Sequence, residues 1–302
     1  MDYSLKNKKI LVTGGTGYLG SFLVKTLQEK GADVYIISME AEANKHNFLV
    51  DITNFDELIT VVQQINPDIV YHLAANISRD RDFSIFENML KVNVTGTFNL
   101  LKSLEQTTCK QFIFTSTSEI YGNNVSPFHE DLLPKPVSPY SLTKVMAENL
   151  IRTFSQQYNR NYTILRLFNF YGKNMSESFF ISQMINDLRR GVDFLMTKGE
   201  QTRDFLFVED VVNALILAAE KPAACNETIN ICSGIGSPLA SLAAVINKKQ
   251  GGTAKIKVGA LPYRKNEVWE MIGTTTKAKE KLGFVPQYSL NDGLEKILKM
   301  DE

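Results

Sequence analysis

Tyr140 and Lys144 stand four residues apart in the run Tyr140-Ser141-Leu142-Thr143-Lys144. On a helix that spacing puts a phenol and an ammonium on one face. Free tyrosine ionises only near pH ~10 and is a poor base at neutrality, but a cation beside it favours the phenolate. Such a phenol can take a proton from an alcohol or return one to a ketone. Taken alone, Y-x-x-x-K also describes many solvated helix faces. Its weight comes from a second segment, 114–122, with the sequence FTSTSEIYG. That segment starts as a strand and runs past the strand's end, the edge where open α/β sheets place ligands. Thr117 can there hydrogen-bond a reacting oxygen and share its proton with Tyr140. A run of hydroxyl residues after a strand is otherwise only a turn.

A third constellation is Gly14-Gly15-Thr16-Gly17-Tyr18-Leu19-Gly20, with glycines spaced G-x-x-G-x-x-G. It falls where the first strand ends and the first helix begins. Glycine there allows a tight turn and lets backbone N–H groups approach a pyrophosphate at the positive helix end. The expected cofactor is a nicotinamide dinucleotide, whose positive ring would join Lys144 in favouring the Tyr140 phenolate. Asp51 and Ile52, in DIT, follow a short third strand, and Asp51 can either accept from the adenine amino group or cap a turn. Leu73-Ala74-Ala75 end the fourth strand with small side chains over which a cofactor can lie. His72, just before them, reads as a packed core histidine.

The end of the second strand distinguishes NAD from NADP, through an acid for the free ribose hydroxyls or an arginine for the 2′-phosphate. Here it reads Ser38-Met39-Glu40, with Lys45 and His46 further on and no arginine nearby. The acid is displaced by two residues. Glu40 tilts the balance towards NAD and leaves NADP open.

To hold these groups together the chain must be a layered α/β structure. Strands are expected at 9–13, 34–38, 47–50, 69–73, 111–115 and 163–167. Helices are expected at 18–30, 54–65, 83–106 and 139–159. Repeated β-α-β order with near-continuous apolar strands implies a Rossmann-type, doubly wound parallel sheet covered on both faces. After Gly172 the rhythm changes, with a helix near 177–190 and a loop-rich tail. The expected division is a dinucleotide-binding domain at 1–172 and a smaller C-terminal α/β substrate lobe at 173–302, with some segments free to return to the first domain.

Composition bounds the partners. Lys+Arg and Asp+Glu both total 33, so the formal net charge is zero. No global field exists to gather nucleic acid or an anionic membrane, and neither is expected as a partner. Cys109, Cys225 and Cys232 lack metal-type spacing and read as reduced thiols, so no metal site is expected. The polar start lacks the apolar stretch of a signal peptide, and no membrane-span-length apolar run occurs. The expectation is a soluble, cytoplasmic protein.

The motifs GGTGYLG, DIT, HLAA, NVTGT, TSTSEIYG, YSLTK, LRLFNFYG and RDFLFVED occur in this order. Together they resemble the extended short-chain dehydrogenase/reductase family, in particular its nucleotide-sugar epimerases, dehydratases and reductases. The resemblance implies that Thr117, Tyr140 and Lys144 are catalytic, and that the C-terminal lobe closes over a nucleoside-diphosphate sugar. It implies a substrate diphosphate held by Arg203 and Arg264, a ribose-binding acid at Glu267, and sugar contacts from Thr117, Ser118 and Asn169. It also implies a homodimer through helices 83–106 and 139–159.

Three reactions compete within that group. C4 epimerisation or 4-keto-sugar reduction ranks first. Glu119 resembles the C5 base of 4,6-dehydratases and a residue of nucleotide-sugar decarboxylases, or is a structural carboxylate. Ser118 stands where an Asp–Glu dehydratase pair needs its aspartate, so dehydration ranks second. A dinucleotide sensor that has lost its chemistry is the remote alternative, opposed by the intact Thr117, Tyr140 and Lys144.

Overall fold

Apolar runs bounded by glycine, asparagine and proline make the first six strands: β1 (Lys9–Thr13), β2 (Asp33–Ser38), β3 (Asn47–Leu49), β4 (Ile69–His72), β5 (Gln111–Thr117) and β6 (Asn161–Leu167). All four residues of β4 and six of the seven in β5 are buried, as expected of parallel strands with helices on both faces. The computed structural model describes residues 3–40, 44–78, 80–251, 254–264 and 266–299. Between the strands run α1 (Tyr18–Glu29), α2 (Phe55–Ile65), α3 (Phe86–Met89), α4 (Gly96–Ser103) and α5 (Pro139–Tyr158). Gly31 and Asn66 follow α1 and α2 with positive φ, a conformation that glycine and asparagine adopt at least cost.

The second half of the chain adds β7 (Asn169–Tyr171), α6 (Phe180–Arg189), β8 (Phe194–Met196), β9 (Thr202–Phe207), α7 (Val208–Glu220) and β10 (Glu227–Ile231). It ends with β11 (Gly236–Pro238), α8 (Leu239–Gln250), β12 (Ile256–Val258), β13 (Glu270–Met271), α9 (Thr276–Leu282) and α10 (Leu290–Lys299). The large sheet has seven strands in the order β3-β2-β1-β4-β5-β6-β10, and every pair in it is parallel. The chain winds outward from β1 to β3 and then resumes on the other side at β4. That reversal opens a crevice beyond the C-terminal ends of β1 and β4, where ligands of such sheets bind.

Alternation along the strands splits the core between two faces. Ile10, Val12, Tyr71 and Leu165 pack against Leu23 and Leu27 of α1 and Leu215 and Ala219 of α7. Leu11, Val70, Phe112 and Phe114 pack against Leu58 and Val62 of α2, Leu100 of α4 and Ala147 and Ile151 of α5. A third core, with Met184, Phe194, Phe207, Leu242 and Leu294, belongs to the second lobe. There β9 pairs with β7, β11 and β13, while β8 pairs with β12.

Two sequence expectations are refined in detail. The helix anticipated at 83–106 is a broken run: a 3-10 turn at Phe83–Ile85, α3, a π-turn at Leu90–Thr95, and α4 ending at Ser103. The π-turn inserts Asn93 into the interior, where its amide makes three hydrogen bonds, and such turns recur at functional sites. The division expected at 172/173 left room for returning segments, and α7, β10 and α9 share the core of the first lobe, with β10 forming the sheet's outer strand beside β6. Among the described residues no helix is long and apolar enough to cross a membrane.

Because β10 completes the large sheet, Ile229→Ala should destabilise the whole molecule, not the second lobe alone. Ile229 is fully buried, and its truncation is expected to cost about 2–5 kcal/mol. Thermal unfolding should show one transition moved to lower temperature; an unmoved main transition with a separate early one would contradict this account.

Candidate active site

The crevice at the strand ends is a cleft of about 1010 Å³. Its lining brings together the residues singled out above: Gly14, Thr16, Gly17, Tyr18, Leu19, Gly20, Ser38, Asp51, Ile52, Leu73, Ala74 and Ala75 on the first-lobe side. Thr117, Ser118, Glu119, Tyr140, Lys144, Asn169, Arg203, Arg264 and Glu267 line the same cleft.

Its glycine turn is tight enough to exclude side chains. A Cβ on Gly20 would lie 2.1 Å from the Gly14 carbonyl oxygen, and one on Gly14, whose φ is +71°, would lie 2.8 Å from the Ala74 nitrogen. The backbone thereby leaves an open cradle at the N-terminus of α1, which starts at Tyr18 with Gly17 as its cap. A pyrophosphate fits that cradle by charge and shape. Asp51 caps its turn, Oδ1 accepting from the Thr53 N–H at 2.8 Å, and the residue also lines the cleft. Buried Asn99 of α4 fixes that loop by donating to the carbonyls of Ile52 and Thr53.

At the end of β2, Ser38 and Glu40 line the cleft, and the Ser38 hydroxyl accepts from the Glu40 N–H at 3.2 Å. His46 is engaged elsewhere, stacked on Tyr35 and 3.4 Å from an Asp33 carboxylate oxygen. His72 is the core histidine its sequence context suggested. It is buried between Thr13 and Thr97, at 2.7 and 2.9 Å. Burial, helped by the charge of Lys144, pushes its pKa down to about 3 and keeps it neutral.

Helix α5 starts at a capping box, with the Ser138 hydroxyl accepting from the Ser141 N–H and the Ser141 hydroxyl accepting from the Ser138 N–H. Proline at its first position stiffens the start. Tyr140 and Lys144 follow on one face. The Lys144 ammonium, 2 % exposed, donates to the Thr115 carbonyl at 2.8 Å and lies 4.3 Å from the centre of the Phe114 ring. Burial drives its pKa down to about 7, against the charge of Glu148. Its nitrogen is 5.9 Å from the Tyr140 ring centre. The phenol itself is pushed upward, first by burial and then by the charge of Glu119. The lowering expected from the neighbouring ammonium is therefore outweighed within the protein frame.

Thr117 closes β5, its hydroxyl accepting from the Glu119 N–H at 3.2 Å. Ser118 is buried, its hydroxyl 3.1 Å from the Met271 sulfur, and Asn169 Nδ2 donates to the Asp204 carbonyl at 3.4 Å. An Arg203–Asp204 surface pair does not form. Asp204 is buried and accepts from the N–H groups of Ser233, Gly234 and Gly273, while Arg203 Nη2 donates to Glu267 Oε1 at 2.7 Å.

Sequence reasoning passed over three residues. Arg81, after β4, lines the cleft, donates to the Asn266 carbonyl in the opposite lobe, and with Arg264 lies close enough to Arg203 to disfavour its charge. Among the described residues, Arg81, Arg203, Arg264 and the Glu267 carboxylate thus gather at this end of the cleft. Asn93, inside NVTGT, donates to the Thr143 hydroxyl at 3.0 Å and accepts from the Asn76 N–H at 2.7 Å, tying the loop after β4 to α5. Glu148 carries a buried ion-pair cluster. Only the buried Asn had a signal, as a polar residue inside an otherwise helical apolar run.

The cradle makes a sharp prediction. In Gly20→Ala a methyl group would collide with backbone that cannot swing aside, so dinucleotide affinity should fall at least about tenfold, near 1.4 kcal/mol, with a lowered melting temperature. Dinucleotide titration and thermal unfolding read both. A variant binding dinucleotide like wild type would show that the cradle is not its site.

Known proteins share both the sequence and this architecture. Residues 10–232 match the NAD dependent epimerase/dehydratase family. A UDP-glucose 4-epimerase of Thermotoga maritima, solved with UDP-glucose, is 32% identical with a TM-score of 0.89, over 96% of this chain and 97% of that one. A UDP-glucuronic acid 4-epimerase of Bacillus cereus, solved with UDP-glucuronic acid and NAD, is 28% identical with a TM-score of 0.87, over 96% and 98%. A GDP-6-deoxy-D-talose 4-dehydrogenase of Aggregatibacter actinomycetemcomitans is 30% identical over 91% of each chain. With its fold, its glycine cradle and its motif order, this chain belongs to the NAD dependent epimerase/dehydratase family, the nucleotide-sugar branch of the extended short-chain dehydrogenase/reductases.

Proposed function

We propose that the chain is an NAD-dependent enzyme acting at C4 of a nucleoside-diphosphate hexose, as a 4-epimerase or a 4-keto-sugar reductase. The observation that carries this reading is one continuous cleft. It holds a pyrophosphate cradle at Gly14–Gly20, the Thr117, Tyr140 and Lys144 side chains, and the arginines 81, 203 and 264. NAD, when bound, accepts or donates the hydride at the sugar carbon. The chain's own residues handle the proton. Tyr140 takes it from the C4 hydroxyl or returns it to the C4 ketone, Thr117 holds the same oxygen by hydrogen bonding, and Lys144 supplies the positive charge that opposes burial of a phenolate. Arg203 and Arg264 suit the substrate diphosphate, with their planar forks matching its oxygens, and Arg81 adds a third cation from the opposite wall. Glu267, fixed by Arg203, is left with an oxygen to accept from a ribose hydroxyl. Glu40 beside Ser38, with no arginine in the cleft at that end, supports NAD over NADP.

A 4,6-dehydratase, with Glu119 as base at C5, is the second reading, because Glu119 does face the cleft. It is disfavoured at the next residue, where Ser118 is buried and engaged with the Met271 sulfur and offers no acid for the departing hydroxyl.

Two variants separate these readings in an assay on a panel of nucleoside-diphosphate hexoses and 4-keto-6-deoxy sugars, with and without added dinucleotide. Tyr140→Phe should lower kcat by roughly 10²–10⁴-fold while dinucleotide affinity is kept; normal turnover by this variant would remove Tyr140 as acid/base. Glu119→Gln should still turn over, since Glu119 only adds to the upward push on the Tyr140 phenol. Neutralising it lowers that pKa, so the limb that rises as Tyr140 deprotonates should move to lower pH in the oxidative direction. Loss of all turnover in Glu119→Gln would favour the dehydratase instead.

A further inference from the structure

Glu148 sits on α5 one turn beyond Lys144 and is 1 % exposed. A carboxylate removed from water needs charged and hydrogen-bonding partners at both oxygens, and Glu148 has them. The Ser116 hydroxyl donates to Oε1 at 2.6 Å. Arg166 Nε donates to Oε1 at 3.1 Å and its Nη2 to Oε2 at 2.9 Å, while Arg152 Nη2 donates to Oε2 at 2.7 Å. Ser116 belongs to β5, Arg166 to β6 and Arg152 to α5 itself. Arg166 is held in turn by the Tyr121 hydroxyl and the Glu130 carbonyl, at 2.9 and 3.0 Å.

The register of these contacts gives them meaning. Thr115 offers its carbonyl to Lys144 and Ser116 its hydroxyl to Glu148. Consecutive residues of β5 thus grip two residues one turn apart on α5. Two anchors on each element fix both the height and the rotation of the helix over the strand. Tyr140, one turn before Lys144, and Thr117, next along β5, are then set towards the same cleft.

We propose that Glu148 is the positioning residue of the Tyr140–Lys144 pair, docking α5 onto β5 through Ser116 and supplying a buried negative charge to the Lys144 ammonium. This rests on the reading that Tyr140 and Lys144 serve the proton transfer. The titratable groups tied to Lys144 are Tyr140 and Glu148 on α5 and neutral His72 on β4, while Arg152 on α5 and Arg166 on β6, the latter held by Tyr121, reach it through Glu148, and Glu119 after β5 acts on Tyr140. Burial pulls the ammonium towards neutrality near pH 7 and Glu148 acts against it. Without Glu148 the Arg152 and Arg166 guanidiniums would lose the carboxylate they share, one turn from the lysine.

The test compares pH profiles of kcat, with KM, for Glu148→Gln, Glu148→Asp, Arg152→Gln and Ser116→Ala on the nucleotide sugar that wild type turns over. Dinucleotide affinity, from quenching of the single tryptophan, Trp269, and thermal unfolding are measured alongside. The descending limb, where Lys144 loses its proton, should move about one pH unit lower in Glu148→Gln, and Glu148→Asp should restore it. Arg152, with its side chain 33% exposed, tolerates replacement. Its loss removes a cation that neutralises Glu148, so the limb should move to higher pH, by about half a unit. Ser116→Ala should lower kcat about tenfold, leaving KM, dinucleotide affinity and the limb in place. If Glu148→Gln does not fold, Arg152→Gln and Ser116→Ala decide. An unmoved limb in Arg152→Gln, or an unchanged kcat in Ser116→Ala, would overturn the positioning role. Normal turnover by Tyr140→Phe would overturn the catalytic reading beneath it instead.

Discussion

A lysine ammonium buried against a strand carbonyl is the constraint around which this molecule is arranged. Lys144 donates to the Thr115 carbonyl and rests on the Phe114 ring, only 2 % exposed at the wall of the cleft. A charge in that position is costly unless its surroundings are fixed, and several elements contribute to fixing them. β5 supplies the carbonyl and the aromatic face. α5 presents the lysine from a helix whose start is set by Ser138, Pro139 and Ser141. The π-turn at Leu90–Thr95 supports the opposite flank through Asn93 and Thr143. His72, within reach of the Lys144 charge, is kept neutral and so adds no second positive charge.

The cleft is shaped as much by what is missing as by what projects into it. Gly14 and Gly20 bring the first turn so close to itself that no side chain fits at those two positions, which keeps the start of α1 open to the crevice. Gly172 does the same at the junction of the lobes, where a Cβ would lie 2.4 Å from the Tyr18 hydroxyl. That hydroxyl donates to the Lys173 carbonyl at 3.0 Å and its ring stacks on Phe170, so a residue of the phosphate loop also braces the second lobe. Arg81 and Arg203 reach the loop at 264–267 from different lobes. Groups that suit a diphosphate thus also tie the lobes together, and an anion drawn to them would be met from both walls.

Much of this was legible in the sequence because it obeys local rules. Glycine spacing at a strand-to-helix turn, a phenol and an ammonium at i and i+4, and apolar strands in β-α-β order each follow from short-range geometry. The rest is tertiary. A continuous helical pattern at 83–106 hid the π-turn, because an extra backbone residue in one turn hardly disturbs hydrophobic periodicity while it redirects Asn93 inward. Which segments return was hidden because β10, the short run ETINI with two isoleucines, looks the same in either lobe. Glu148 and Arg166 carry no local signal, one a charge on a helix and the other a charge on a strand. Only the folded register brings them together beneath the site.

The protein frame has a consequence for the proton's direction of travel. Burial and Glu119 both favour the neutral phenol at Tyr140, and burial also weakens the hold of Lys144 on its own proton. Left to these forces, Tyr140 rests as an acid, the state needed to protonate a ketone oxygen. Turning it into a base requires added positive charge beside it, which an oxidised nicotinamide ring carries and a reduced one does not. On the proposed reading, the preference of Tyr140 to hold or to release its proton would be coupled to the redox form of a bound nicotinamide. The same side chain would then serve both directions of an oxidation and reduction without a second acid, and the charge of Glu119, which favours the neutral phenol, would tune where that balance lies.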